Sequence, residues 1–301
     1  MKKVFKWVGI VLGSLIGLVL VAGAVLYIVG NARLNKTYDF PPSNITIPTD
    51  AASIEYGKHR AESLCQGCHG ADLSGISNWF DGGPLGTIDS ANLTSGEGGF
   101  GMEAASDEDY VKAIRHGIDP EGKPIFMPAV YSTSYLSDKD LGAIIAYVKS
   151  VPPVDHVTHG SNFKPLAKIL FASGAMLPPL PVEVVSHEVH VTAPERGATV
   201  AYGEYLVNTN DCRICHGQEL AGGEIPDPTL YLITPNLTPG GEVGFWTEGQ
   251  FINTIRTGIT PSGHELSDHM PWKDYRNFYD DELKAIYMYL QSLPKLEQYT
   301  E

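Results

Sequence analysis

Cysteine is scarce: four residues among 301. That is too few to staple a chain of this size as a disulfide scaffold. Charge is thin as well, at 19% of positions, and it leans one way, with 21 Lys and Arg against 35 Asp and Glu. A formal charge of −14 sets nucleic-acid binding aside. Alternation of apolar and polar residues never persists beyond a few positions, which leaves little room for β-strands. Glycine and proline are plentiful, at 32 and 21, and call for long, defined loops. Hydrophobic residues fill 43% of positions, enough to build cores, and the length favours two folded units over one.

Lys2, Lys3 and Lys6 precede an uncharged apolar run of 23 residues, Val8 to Gly30. At 1.5 Å per residue such a run crosses a bilayer core of about 30 Å with some tilt. The lysines keep that end in the cytoplasm and send the rest outward. Ala22-Gly23-Ala24 offers a peptidase small residues, but Val25 to Val29 carries the run past that point. Residues 1–30 are therefore expected to be an uncleaved anchor, and 31–49 an extended tether.

The remainder repeats itself. Tyr56-Gly57 precedes Cys65-Gln66-Gly67-Cys68-His69, and Tyr202-Gly203 precedes Cys212-Arg213-Ile214-Cys215-His216. Asn92-Leu93-Thr94 matches Asn236-Leu237-Thr238, Arg115 matches Arg256, Met127-Pro128 matches Met270-Pro271, and Tyr147 matches Tyr289. The order is kept throughout, so this is a duplicated domain and not a solenoid. The expected units are 50–152 and 199–301, joined by a Pro-rich linker over 153–198 whose apolar stretch Leu166–Phe171 suggests a short helix.

Each half reads as mostly α. Asp50 offers a cap for a helix running into Cys65. Ser106-x-x-Asp109 and Thr247-x-x-Gln250 resemble capping boxes, opening helices that end near Gly117 and Gly258. Ser137 caps the last helix of the first half, in which Leu141, Ile144, Ile145 and Val148 follow a helical period. In the second half Asp280 is the expected cap.

Cys-x-x-Cys-His is the attachment signature of c-type haem. Residues three apart share one face of a helical turn, so two thiols there can bond the two vinyl groups of one porphyrin. His69 or His216 then presents an imidazole nitrogen to the iron. Zinc half-sites, disulfides and redox dithiols are the alternatives, and none of them explains why His follows the second Cys both times. Cys65 and Cys68, and Cys212 and Cys215, are thus expected to hold two covalent haems. Met127 and Met270 are the expected distal ligands, since each precedes a proline that stiffens its loop. Met102 lacks a counterpart and reads as core filler. His269 is a rival to Met270 without a counterpart in the first half. His59, His116, His156, His159, His187, His190 and His264 read as surface or structural. Arg115 and Arg256 fit either compensation of a helix dipole or pairing with haem propionates, and the repeated Asn fits a loop role beside the haem, as a cap or a propionate partner.

With these motifs in view, each half resembles a class I c-type cytochrome domain. The glycine and tyrosine pairs match that family's helix-crossing contact, and the Met-Pro pairs match its distal loop. The run Leu85 to Thr94 and the Arg-x-Gly-Ile segments are similar to the cytochrome c subunits of bacterial membrane-bound alcohol and gluconate dehydrogenases, which typically carry three haem domains where this chain has two. The resemblance implies an electron carrier, not an enzyme, on the outer (periplasmic) face of the cytoplasmic membrane. It would link a donor dehydrogenase to an acceptor cytochrome or oxidase. The rival readings are a dihaem cytochrome c peroxidase, which needs one haem with an open distal face, and a haem subunit of a larger dehydrogenase or oxidase complex.

Overall fold

A computed structural model describes residues 2–103, 106–174, 180–225 and 232–299. Helix α1, Lys2–Leu34, opens the chain. Its most apolar window reaches a mean hydropathy of 2.6 with no residue buried by the rest of the protein, and its length and composition suit a membrane span. The helix continues four residues past the apolar run, to Leu34.

The first half contains α2 (Ala51–Leu64), α3 (Gln66–His69), β1 (Ile76–Asp81), β2 (Gly86–Ser90), α4 (Phe100–Glu103), α5 (Asp107–Val111) with a π-helical turn over Lys112–His116, α6 (Val130–Thr133) and α7 (Asp138–Ser150). Strand β3 (Ser161–Phe163) and helix α8 (Pro165–Ser173) follow. The second half has α9 (Val200–Thr209), α10 (Cys212–His216), β4 (Gly223–Glu224), β5 (Ile233–Thr234), α11 (Glu248–Thr257), α12 (Trp272–Tyr275) and α13 (Asp280–Ser292).

The caps largely follow the sequence. Asp50 accepts from the Ser53 amide, and Ser137 from Asp140. Both capping boxes form, and Gly117 and Gly258 close their helices in the left-handed conformation. The exception is α13, whose cap position is Tyr279 and not Asp280; Glu282 reaches back to accept from the Tyr279 amide at 2.9 Å. The amphipathic period of α7 is realised, with Leu141, Ile144, Ile145 and Val148 all buried.

In each half the haem-motif helix crosses the last helix. A Cβ on Gly57 would lie 1.9 Å from the Ala143 carbonyl oxygen, and one on Gly203 would lie 1.9 Å from that of Ala285. Only glycine permits this approach. Tyr205, Leu206, Phe251, Leu283 and Ile286 centre one core; Tyr110, Leu136, Leu141 and Ile144 centre the other.

Two expectations are corrected. A three-stranded antiparallel sheet forms in the order β1-β2-β3. It escaped the pattern because β1 is exposed along its whole length and β2 carries one large apolar residue, Ile88. The tether is also no free strap. The Tyr38 amide donates to Gly122 O at 2.8 Å, the Ser43 amide to Glu108 Oε1 at 3.0 Å, and Ile45 and Ile47 pack on the first core. Helix α8 forms where the apolar stretch suggested, and Phe171 joins a third cluster with Ile118, Leu180 and Val182. The prolines of the 177–181 run lie outside the described residues up to Pro179.

Candidate haem-attachment sites

The helix into which each motif is built sets its geometry. α2 runs to Leu64, and the turn over 65–69 carries Cys65, Cys68 and His69. In the second half, α10 carries Cys212, Cys215 and His216. Burial pushes the Cys65 and Cys212 thiols up to about 12 and Cys68 up to about 11. None of the four is in a disulfide.

The two histidines are held alike. His69 Nδ1 donates to the Ala91 carbonyl at 2.7 Å, and His216 Nδ1 donates to the Pro235 carbonyl at 2.9 Å. That bond fixes the tautomer and leaves Nε2 as the ligating nitrogen. Burial lowers both imidazoles, so they stay neutral, as a metal ligand must be.

What holds those carbonyls is the repeated Asn-Leu-Thr. Asn92 Oδ1 accepts from the Thr94 amide and hydroxyl at 2.9 and 2.8 Å, and its Nδ2 donates to Val154 O. Asn236 Oδ1 accepts from the Thr238 amide and hydroxyl, and its Nδ2 donates to Leu296 O. Both asparagines are buried. They pin the loop that carries the histidine's carbonyl partner to the chain that leaves the last helix, through Nδ2 bonds to backbone carbonyls.

A second matched pair was missed. Leu73 and Leu220, each four residues after its histidine, are wholly buried with φ of 59° and 58°. A leucine in the left-handed region is strained, so the surroundings over-determine it. Their amide partners match too: Leu93 N donates to Leu73 O, and Leu237 N to Leu220 O, both at 2.8 Å. The signal was the shared Cys-His-Gly-x-x-Leu.

Met127 and Met270 occupy the same place, half-buried just before α6 and α12, and Met270 packs on the second core. His269 is exposed. Met102, on α4, is 66% exposed and so is not core filler. Arg115 is fully buried and donates to Leu136 O, Val189 O and Asp138 Oδ1, while Arg256 donates to Asp280 Oδ1 at 2.7 Å and to Arg276 O. Both arginines therefore tie a helix end to the start of the last helix. Several histidines are structural: His116 is buried against His187, and His59 is buried against the other half.

The two sites abut each other's half. A Cβ on Gly67, inside the first motif, would lie 2.8 Å from Asp274 Oδ2, and the Asp211 amide, just before the second motif, donates to Ser132 Oγ at 3.2 Å. Between them runs a buried polar seam. Asp140 accepts from Tyr56 at 3.0 Å and from Tyr205 at 2.7 Å. Glu282 pairs with His59 at 2.7 Å and with the Tyr202 hydroxyl at 3.4 Å. Arg60, wholly buried, donates to Thr209 Oγ1 at 3.2 Å.

The donor set suits a covalent haem: two thiols one helical turn apart and a neutral imidazole with its outer nitrogen fixed. Orphaned polar atoms suit it as well. Arg60 Nε is ion-paired with Asp140 Oδ2 at 3.7 Å, but Arg60 Nη1 and Trp272 Nε1 are buried donors without a hydrogen-bond partner, which a macrocycle bearing two carboxylates would supply. Among the described residues, His, Cys, Asp and Glu form no other cluster able to hold a metal.

Comparison with known proteins agrees. Residues 54–152 match the family described as Cytochrome c, and residues 198–290 match that of Cytochrome C oxidase, cbb3-type, subunit III. The chain is 28% identical over 282 residues to the cytochrome c subunit of a quinone alcohol dehydrogenase from Gluconacetobacter polyoxogenes, covering 83% of this chain and 58% of that protein. It thus spans little more than half the length of that curated relative. It is 37% identical over 101 residues to the gluconate 2-dehydrogenase cytochrome c subunit of Pantoea cypripedii, covering 31% of this chain and 22% of that one. Over 143 residues it is 29% identical to the fructose dehydrogenase cytochrome subunit of Gluconobacter japonicus, covering 43% and 28%. Reduced cytochrome c4 from Pseudomonas stutzeri aligns over 82% of this chain and 100% of that one, at 16% identity and a TM-score of 0.22. The chain carries two tandem cytochrome c domains, each with a Cys-x-x-Cys-His site that fits one covalently attached haem c.

Proposed function

We propose that this chain is a membrane-anchored electron carrier with two haems. Cys65 and Cys68 would hold one, with His69 and Met127 as axial ligands; Cys212 and Cys215 would hold the other, with His216 and Met270. The domain units of the reading are 50–152 and 199–301. A haem iron, when bound, supplies the one-electron couple, and His/Met ligation raises its potential. The chain's own part is to keep each imidazole neutral and aimed, through Ala91 O and Pro235 O, and to shield the site. The seam around Asp140 and Glu282 holds the two sites at one separation.

The observation that carries the reading is the identical histidine–carbonyl bond in both halves. A metal ligand needs its ligating nitrogen free and its ring fixed through the other, and a merely structural histidine has no reason to be copied with its carbonyl partner. The relatives, named as cytochrome subunits of dehydrogenases, support a dehydrogenase as donor. An acceptor cytochrome or oxidase would receive the electrons. The helix α1 would hold the domains at the outer, periplasmic face of the cytoplasmic membrane, with Lys2, Lys3 and Lys6 inside. Confinement there raises the effective concentration beside membrane partners. The excess of acid favours partners with basic patches, with an on-rate that falls as salt rises.

An optical and EPR redox titration of the purified full chain tests this. Two low-spin haems, each with a thioether-to-iron charge-transfer band, are expected. A high-spin ferric haem that reacts with peroxide would overturn it.

A further inference from the structure

Helix α8 lies beside the end of the membrane helix, in register with it. A Cβ on Gly30 would lie 1.9 Å from the Lys168 carbonyl oxygen, and Arg33 Nη1 donates to Phe171 O at 2.6 Å. Three residues separate each pair on both helices, so α8 runs parallel to α1, with its N-terminus toward the middle of the span. There a cleft of about 520 Å³ is lined by α1 residues from Val19 to Ile28 and by Pro165 and Ile169. If α1 crosses the bilayer, whatever touches it at these levels stands at the same depth.

The chemistry of α8 suits that depth. Its sequence, PLAKILFAS, carries one charge. That charge is directed away from the apolar face: Lys168 Nζ donates to Asn31 Oδ1 at 2.7 Å and stands 5.5 Å from the centre of the Tyr27 ring. Leu166 is 44% exposed. The helix end is satisfied in the way a low-dielectric setting demands, by the Arg33 bond to Phe171 O. The turn of the β1–β2 hairpin is tied to the N-terminus of α8, level with the outer end of the apolar run of α1, since Lys164 N donates to Leu85 O at 2.9 Å and Lys164 Nζ to Gly83 O at 2.8 Å. That hairpin exposes Trp79, a residue type that settles at a lipid headgroup boundary, beside the apolar Phe80. Finally, no acid occurs from residue 156 to 182, in a chain with 35 of them, and Lys164 and Lys168 fall in that stretch.

We propose that α8 is seated in the haem-side leaflet, with Leu166 and Ile169 in lipid and the Trp79–Phe80 hairpin at the headgroups. The first domain is thereby held in one orientation against the membrane, and α1 is more than a leash. The proposal rests on the reading of α1 as a span, so the test examines the two separately.

The full chain, loaded with haem so that its own cysteines are thioethers, is placed in phosphatidylethanolamine/phosphatidylglycerol nanodiscs. A nitroxide is attached at Leu166→Cys, at Val19→Cys and at Lys295→Cys in turn, and EPR power saturation compares exposure to oxygen with exposure to a water-soluble nickel chelate. Oxygen should dominate at 19 and at 166, and nickel at the exposed 295. Nickel dominance at 166 with oxygen dominance at 19 would overturn the seat and leave the span intact. Low exposure to both reagents at 166 would mean that protein covers the face, and also overturns it. Nickel dominance at 19 would end both readings. If Leu166→Cys fails to assemble with two haems, Leu170→Cys takes its place.

Discussion

The two domains meet through the same three positions, filled differently. In the first, Tyr56 of α2 donates to Asp140 of α7; in the second, Tyr202 of α9 donates to Glu282 of α13. Each carboxylate then receives a residue from the other domain, one helical turn after that domain's tyrosine: Tyr205 for Asp140, and His59 for Glu282. The seam is thus a pseudo-two-fold exchange, as in an isologous dimer. One arm is a neutral phenol on a carboxylate. The other is an imidazole on a carboxylate, which is stacked on Tyr279 at 3.8 Å. The comparison teaches that duplication preserved the positions of the bonds while letting their chemistry diverge.

That comparison can be broken most severely at the cysteines. Replacing Cys212 and Cys215 together by Ser should remove one haem of two and leave the first domain's spectrum intact; intact-mass spectrometry reads the loss, and the mirror change at Cys65 and Cys68 should do the same. Next in size, Met127→Ala and Met270→Ala should each shift the potential of one haem only. Equal shifts of both haems in a redox titration with either variant would defeat the picture of independent sites.

Gly57→Ala and Gly203→Ala should be about equally damaging, since each forces a methyl into a carbonyl at 1.9 Å. A loss of at least about 3 kcal/mol is expected, and a denaturant midpoint measures it. A smaller effect sharpens the asymmetry of the seam. Burial pushes the Glu282 carboxyl up, but the His59 hydrogen bond and the charges of His59 and Arg60 outweigh it, so it sits below its ordinary value of 4.5. A depressed carboxyl contributes stability above pH 4.5 that is lost as the pH falls through its folded value. Glu282→Gln should therefore cost about 1–3 kcal/mol near neutrality and flatten the acid limb of a melting-temperature profile. An unchanged acid limb would show that the His59 arm is not what acid breaks.

How much of this was legible beforehand depended on what kind of group did the work. The cysteines, the histidines, the helix-crossing glycines and most caps were visible because side chains encode them at fixed local spacing. The carbonyls of Ala91 and Pro235 were not, since any residue supplies a carbonyl and the two identities differ. The capping role read for Asn92 and Asn236 is realised on their Thr amides, but their second bond was not legible: an amide that bonds a backbone atom 62 or 60 residues away leaves no trace in the motif. Leu73 and Leu220 could have been found from the repeated Cys-His-Gly-x-x-Leu, but their left-handed backbone could not. Strand β1 was hidden because solvent on both faces imposes no alternation.

The sequence by itself determined where two macrocycles attach and that one fold was used twice, because thioether and imidazole chemistry is confined to a single helical turn. Only the tertiary structure decided how the copies face each other and which way the first one leans on helix α1. Those choices rest on contacts across long separations, 65 residues for Tyr205 with Asp140, 223 for His59 with Glu282 and 138 for Arg33 with Phe171, and burial decides such pairings where local propensity is silent.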